Sequence, residues 1–417
     1  MRKSKISEPC RSGTTESIMQ ELLFLLLPVA ALSGWLIARL KQGKPANSKN
    51  SCAYEPNYYK GLNFLLNEQP DKAIDVFVQL LEVDSETVET HLALGSLFRK
   101  RGEVDRAIRI HQNLIARPSL AQEQRAHALL ELGQDYLYAG LHDRAENLFN
   151  ELVDSSRLQK KALENLREIY QQEKVWDKCL NVVFKLQNLG DGHYSNEISH
   201  YYCELAEEAR KRSDKKLHQE YIRKAKQAAP DSIRALTMEA GLEVENKNYR
   251  KAVSIYERII EHKPAFIGEV LENLLYCYTQ NGVSAELESI LKNLYQKTGS
   301  SLVLQRLIGH MLQSHNRQQV EDYLLDLLRD ASSLQSLQLL IKIEQQRPAA
   351  EMQRIFEVIG EALEHELGKR PAYSCQRCGF AAKTLYWQCP GCKGWGTLSP
   401  LNEHDRICMP VKDIKKV

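Results

Sequence analysis

The chain shows the alternation of apolar and polar positions that is typical of amphipathic helices. In residues 71–83 the apolar side chains at positions 73, 74, 77, 80 and 81 share one helical face. Similar spacing returns near residues 290 and 325, where large apolar residues again recur every three or four positions. The pattern predicts a largely helical protein between residues 54 and 365.

A three-residue motif recurs along this helical region. Two charged residues precede alanine or cysteine in each copy: Asp71–Ala73, Asp105–Ala107, Asp143–Ala145, Asp177–Cys179 and Arg250–Ala252. The third residues are separated by steps of 34, 38, 34 and 73, and the last step fits two units. A period near 34 is typical of the tetratricopeptide repeat, in which each unit is a pair of antiparallel helices.

Glycines and aromatic residues add a second signature to these units. Gly61, Gly95 and Gly133 lie at matching offsets in the first helix of their units. The aromatic residues Phe77, Phe149 and Tyr256 each follow the small residue of a second helix by four positions. We expect the small residues to let paired helices approach closely, with the aromatic rings filling the gaps. The predicted fold class is an all-α, superhelical tetratricopeptide-repeat solenoid over residues 54–365, with eight or nine helical pairs.

A solenoid of this kind presents an extended surface that usually holds a peptide or a protein partner. First-helix positions expected to face such a groove are Arg99, Lys100, Gln134 and Tyr138; the alternative is that they are ordinary solvated surface residues. Neither a catalytic constellation nor a GxGxxG or GxxxxGK[ST] loop occurs in the sequence. We therefore expect a binding protein and not an enzyme.

An uncharged apolar run lies near the start of the chain. Residues 22–38 carry no charge, and Arg39, Lys41 and Lys44 follow them. The run predicts a transmembrane helix over residues 19–40, and the alternative is a cleaved signal peptide. If translation starts at Met19, residues 1–18 are a non-native or disordered extension. The basic linker 41–53 then places the bulk of the protein in the cytoplasm by the positive-inside rule.

The overall charge limits the classes of partner. Lysine and arginine number 56 against 54 aspartates and glutamates, which gives a formal charge of +2. This balance argues against a nucleic-acid protein that works through a broad basic surface.

Five of the ten cysteines lie within the last 43 residues. Cys375, Cys378, Cys389 and Cys392 form two Cys-x2-Cys pairs separated by ten residues, a spacing that lets four thiolates hold one ion. We predict a small metal-binding module over residues 370–400, followed by a tail at 401–417 in which Cys408 is not a ligand. Zinc and iron both accept four sulfur ligands.

Aromatic residues surround these two cysteine pairs in the sequence. We expect Phe380, Tyr386, Trp387 and Trp395 to form an apolar shell around the ion. The isolated cysteines of the helical region are expected to pack as small apolar residues.

Gly379 after the first pair and Pro390 inside the second are similar to the knuckles of rubredoxin. A structural ion is the simplest interpretation. A redox carrier and a nucleic-acid-binding zinc ribbon are the alternatives.

The whole arrangement resembles the lipopolysaccharide assembly protein B (LapB) family. The most specific matches are residues 21–31, residues 101–112 and the knuckle region 375–395, and the resemblance also favours Met19 as the start. It implies a single-pass inner-membrane adaptor with cytoplasmic repeats that regulates lipopolysaccharide synthesis by promoting turnover of the deacetylase LpxC by the protease FtsH. It also implies iron at Cys375, Cys378, Cys389 and Cys392. The specific partner surfaces and a homo-oligomeric state are left open.

Overall fold

The computed structural model describes residues 56–67, 69–83, 88–154, 157–190, 192–330, 333–345 and 350–402, together with Leu32 and Trp35. Apart from those two residues, the predicted membrane helix 19–40 lies outside the described part of the chain. The extension 1–18, the linker 41–53 and residues 403–417 of the tail lie outside it as well. No helix among the described residues combines the length and the apolar character that a membrane crossing requires.

The chain divides into two units, and the first, residues 1–86, contains one described helical pair. Helix α1 spans Pro56–Leu66 and α2 spans Pro70–Val83. Ala73 and Phe77 of α2 are fully buried. A Cβ atom on Gly61 of α1 would lie 2.7 Å from the Phe77 ring, so glycine is what allows the two helices to pack this closely.

The second unit, residues 87–417, continues the same architecture with sixteen described α-helices. The first eight are α3 Val88–Arg101, α4 Val104–Ile115, α5 Gln122–Tyr138, α6 His142–Leu152, α7 Gln159–Gln172, α8 Trp176–Asn188, α9 Ser195–Lys211 and α10 Lys215–Ala228. The next eight are α11 Ile233–Glu245, α12 Tyr249–His262, α13 Ile267–Gln280, α14 Leu287–Thr298, α15 Ser301–Ser314, α16 Arg317–Asp330, α17 Leu334–Glu344 and α18 Ala350–Lys369. Consecutive helices pack on one another, which gives an all-helical solenoid of the tetratricopeptide type.

The repeated small and aromatic residues form the core of these pairs. Ala107, Ala145, Cys179 and Ala252 each have no exposed surface. Phe149 is equally buried and packs on the first helix of its own pair, where a Cβ on Gly133 would lie 2.5 Å from the ring. The close approach expected from the sequence is therefore present and depends on glycine.

Adding one methyl group at Gly133 is expected to destabilise the solenoid. Gly133→Ala should lower the free energy of unfolding by about 1–3 kcal/mol, because the Phe149 ring cannot yield without disturbing its neighbours. Gly241→Ala in α11 is the matched control, since nothing lies within 4 Å of its added Cβ. That control should be stabilised by about 0.5–1 kcal/mol. Urea unfolding followed by circular dichroism measures both, and equal stability of the two variants would contradict the prediction.

One pair replaces the aromatic residue by histidine. His111 lies four positions after Ala107 and is fully buried, and a Cβ on Gly95 would lie 2.3 Å from its Nε2. Its Nδ1 lies 2.5 Å from Oδ2 of Asp135, which is also fully buried. Arg99 Nη1 donates to the other carboxylate oxygen of Asp135 at 2.6 Å. The result is a buried polar network of three residues that links α3, α4 and α5.

Candidate metal centre

A small three-stranded sheet follows the last helix. Strands β1 Tyr373–Cys375, β2 Ala381–Ala382 and β3 Leu398–Pro400 are antiparallel, and β1 lies in the middle. The four cysteines lie at the end of β1 and in the connections that follow it.

The two Cys-x2-Cys segments have the same backbone geometry. The N–H of Gly379 donates to the carbonyl of Cys375, and the N–H of Lys393 donates to the carbonyl of Cys389, both at 2.9 Å. Gly379 and Lys393 have φ values of 73° and 56°, so each knuckle ends on a left-handed residue four positions after its first cysteine. Glycine takes this conformation readily, whereas Lys393 takes it at a steric cost. This shared turn directs both sulfurs of each pair to the same side.

The four Sγ atoms converge on one point. All lie within 4.8 Å of one another, and Cys375–Cys392 and Cys378–Cys389 are each 3.7 Å apart. A tetrahedral ion with metal–sulfur bonds of about 2.3 Å would require sulfur–sulfur separations of about 3.8 Å. The cluster therefore fits a single ion with four sulfur ligands, and the same geometry suits zinc and iron.

The electrostatics of the cluster favour a cation. Burial opposes ionisation of Cys375, but hydrogen bonding with the Thr397 hydroxyl and with backbone N–H groups outweighs it and lowers the pKa of this thiol to about 6. Burial, together with hydrogen bonding to the sulfurs of Cys375 and Cys378, outweighs the hydrogen bonds of backbone N–H groups and raises the pKa of Cys389 to about 12. The protein can thus hold one thiolate here readily. A bound cation would offset the repulsion among four.

The isolated cysteines of the helical region have a different environment. Cys179, Cys203 and Cys277 are fully buried and free of disulfide bonds. Burial raises the pKa of Cys179 and of Cys203 to about 12. These thiols act as small apolar side chains, as expected, and Cys10, Cys52 and Cys408 lie outside the described residues.

The expectation of an aromatic shell around the sulfur atoms is wrong for the two tryptophans. Phe380 packs beside the cysteines, but Trp395 packs on the solenoid, with ring centroids 5.8 Å from Trp176 and 5.2 Å from His200. Trp387 also faces the solenoid. The Arg234 Cζ atom lies over the Trp387 ring, 5.9 Å from its centroid. The tryptophans therefore attach the module to the helices, because packing against the solenoid core removes their large rings from water.

Polar contacts fix the same interface. Asn196 Nδ2 donates to the carbonyl of Trp395 at 3.0 Å, and Gln388 Nε2 donates to Gln171 Oε1 at 3.0 Å. The Tyr373 hydroxyl bonds the Glu269 carboxylate. Helices α7, α8, α9, α11 and α13 thus all contact the metal module.

The predicted groove residues have diverse environments. Arg99 is buried and bonds Asp135, Glu131 and the Gln134 side chain. Tyr138 is 68% exposed and lies against the Arg99 guanidinium, and Lys100 is exposed. A role of these four residues in partner binding stays a prediction.

The sequence pattern did not identify Thr397 or His200 as residues of this region, and it did not predict the buried hydrogen bond between His111 and Asp135. For His111 a signal existed, since it occupies the position that Phe77, Phe149 and Tyr256 hold in other units. The roles of His200 and Thr397 come from tertiary contacts, for which no local pattern gives a signal.

Two family models match the chain. Residues 373–400 match one described as a rubredoxin metal binding domain, and residues 90–125 match a tetratricopeptide repeat. Solved structures that match the chain include the C-terminal part of a TPR repeat-containing protein from Cytophaga hutchinsonii, with 13% identity and a TM-score of 0.40 over 58% of this chain and 96% of that one. Another is PilF of Pseudomonas aeruginosa, with 18% identity and a TM-score of 0.31 over 50% of this chain and 91% of that one.

Curated relatives extend over nearly the full length. The lipopolysaccharide assembly protein B of Escherichia coli is 37% identical over 405 residues, covering 93% of this chain and 100% of that protein. The protein of the same name from Haemophilus influenzae is 32% identical, with the same coverage. With this identity over nearly its whole length, the chain belongs to the lipopolysaccharide assembly protein B family.

Proposed function

We propose that this protein is an inner-membrane-anchored adaptor that regulates lipopolysaccharide biosynthesis. It brings the deacetylase LpxC to the membrane protease FtsH and organises other assembly proteins through its repeats. The observation that carries the proposal is full-length similarity to relatives named for lipopolysaccharide assembly. The anchor is the apolar segment 19–40, with the repeats on the cytoplasmic side.

A non-enzymatic role agrees with the chemistry of the side chains. Among the described residues, the four cysteines are the one group of three or more His, Cys, Asp or Glu side chains placed to share an ion. The buried His111–Asp135 pair is not aimed at an open surface and has Arg99 as its further partner. Tethering to the bilayer suits an adaptor, because confinement at the membrane raises the effective concentration of LpxC near FtsH.

The ion at Cys375, Cys378, Cys389 and Cys392 is proposed to be structural. The module packs on α8, α9 and α11 through Trp395 and Trp387, which favours a fixed support for a binding surface over a mobile electron carrier. Metal analysis of protein from its native host separates iron from zinc. A reversible potential together with visible absorption from ferric sulfur ligation would favour the redox alternative.

Depletion of the protein tests the adaptor function. LpxC should accumulate several-fold and its half-life should lengthen, because the protease loses the factor that delivers its substrate. Pulse-chase labelling followed by immunoprecipitation measures the half-life. Complementation with the Cys179→Ala chain should restore turnover, since that buried thiol is not one of the four clustered cysteines. An unchanged LpxC half-life on depletion would contradict the proposal.

A further inference from the structure

A cleft of about 420 Å³ lies where the metal module meets the solenoid. Its walls come from both parts of the unit. Asn196, His200, Arg234 and Lys263 belong to the helical side, and Trp387 and Gly396 belong to the module. This module cleft is within the size range of sites that bind small groups or single residues of a peptide.

Two helices begin at the module cleft. Helix α9 starts at Ser195 and α11 starts at Ile233, and their lengths are 17 and 13 residues. The first-turn N–H groups of each helix have no partner within the helix, so both ends favour a negative charge. The Ser232 hydroxyl caps α11 by accepting from the N–H of Ala235.

The side-chain charges of the cleft add to this preference. Arg234 and Lys263 carry positive charge and Asp231 carries negative charge, which leaves a net lining charge of +1. Asp231 is bonded to Arg258 at 3.0 Å, and Arg234 to Glu204 at 2.8 Å. Lys263 is exposed and has no ion-pair partner among the described residues.

A buried side chain in the cleft wall also lacks a partner. His200 is only 2% exposed, yet its Nδ1 makes no hydrogen bond to any described residue. Its ring lies against Trp395, and a Cβ on Gly396 would come within 2.8 Å of its Nε2. Burial and the nearby Arg234 charge lower the pKa of His200 to about 3, so the ring is neutral and carries one N–H. His200 lines the cleft, and an unpaired buried polar atom is costly, so a ligand that hydrogen-bonds this ring would relieve that cost.

We propose that the module cleft binds a single carboxylate of a protein partner. The net lining charge of +1 suits a monoanion better than a phosphate dianion. The walls formed by Ile233, Phe266 and Leu398 suit an apolar side chain next to that carboxylate. The proposal deepens the adaptor function, on which it rests for the existence of a partner. A partner bound in this cleft contacts the solenoid and the metal module at the same time.

Peptide titration of the purified, metal-loaded full chain tests the proposal. The probes are acetate, inorganic phosphate, acetyl-Gly-Ala-Leu-Ala with a free C-terminal carboxylate, the same peptide as its amide, and the amide of acetyl-Ala-Glu-Leu-Ala. Tryptophan fluorescence, together with the NMR signals of the histidine rings, follows binding, since Trp387 and His200 line the cleft. The free-carboxylate peptide or the glutamate peptide should bind at least about tenfold more tightly than the uncharged amide. Which of the two binds identifies the source of the carboxylate.

A charge reversal supplies the second arm of the test. Lys263→Glu should weaken binding of the preferred peptide about tenfold while the circular dichroism spectrum stays unchanged, because this lysine is exposed. Lys185→Glu, an exposed lysine at the end of α8, is the matched control and should bind as the parent chain does. Equal affinity for the peptide and its amide, tighter binding of phosphate than of acetate, or no effect of Lys263→Glu would overturn the proposal. The titration needs no LpxC and the depletion experiment needs no synthetic peptide, so the two proposals can fail independently.

Discussion

Replacing both Cys375 and Cys378 by serine should release the ion and unfold the C-terminal module. The module's own apolar core consists of four buried residues: Cys375, Ala382, Cys389 and Leu398. Two of these are among the four cysteines proposed to hold the ion, and a segment of this size is too small to fold by burial alone. Structural zinc contributes about 10–16 kcal/mol in small metal-dependent peptides, far more than such a core can replace.

Elemental analysis and tryptophan fluorescence measure this outcome. The parent chain should carry one ion and the double variant none, and emission should shift to the red as Trp395 leaves its site on Trp176. Cys179→Ala is the matched control, because it removes a buried thiol that lies outside the cluster. A double variant that retains one ion per chain would show that the ligand assignment is wrong.

Removing the carboxylate of Asp135 should cost the solenoid about 3–5 kcal/mol. This carboxylate is fully buried and accepts from Arg99 at 2.6 Å and from His111 at 2.5 Å. Burial alone would lower the pKa of Arg99, but hydrogen bonds and charge interactions with Glu131 and Asp135 raise it above its usual value. Arg99 therefore stays charged, and Asp135→Ala leaves a buried cation with only a partly exposed partner.

Hydrogen exchange and urea unfolding measure this loss in α3, α4 and α5. Asp143→Ala is a suitable control, because Asp143 is an exposed acid in the first turn of α6 and should contribute less than about 1 kcal/mol. Replacing the whole network by Arg99→Met, His111→Phe and Asp135→Leu should recover much of the stability, since neither a buried charge nor an unpaired buried N–H remains. A loss in Asp135→Ala no larger than that of the control would refute the network's role.

The local periodicity of the sequence predicts much of this architecture. The recurring Ala107 and Ala145 positions mark buried helix contacts, and the cysteine spacing identifies the four sulfurs that converge in the fold. The same reasoning treated Arg99 as a groove residue, because an arginine on a helix face is usually solvated. Its burial depends on Asp135, 36 residues away, so no local pattern can reveal it.

The sequence pattern likewise does not predict where the metal module packs on the solenoid. Trp395 and Trp387 were expected to surround the ion because they are close to the cysteines in sequence. The structure instead places them against helices about 200 residues earlier, and such long-range packing has no periodic signature. The predicted membrane segment is the opposite case: only the sequence pattern supports it, since it lies outside the described residues apart from Leu32 and Trp35.

The docked module also changes how the repeat array can unfold. Repeat solenoids normally behave as one-dimensional chains in which each unit contacts only its neighbours and the ends fray independently. Here Gln171, Asn196 and Glu269 are all bonded to the module, across separations of up to 217 residues. Forming these contacts requires closing a long loop, so docking comes late in folding. Once it is complete, these contacts join the repeats from α7 to α13 into one cooperative block, so an ion that keeps the module folded would also stabilise the middle of the chain.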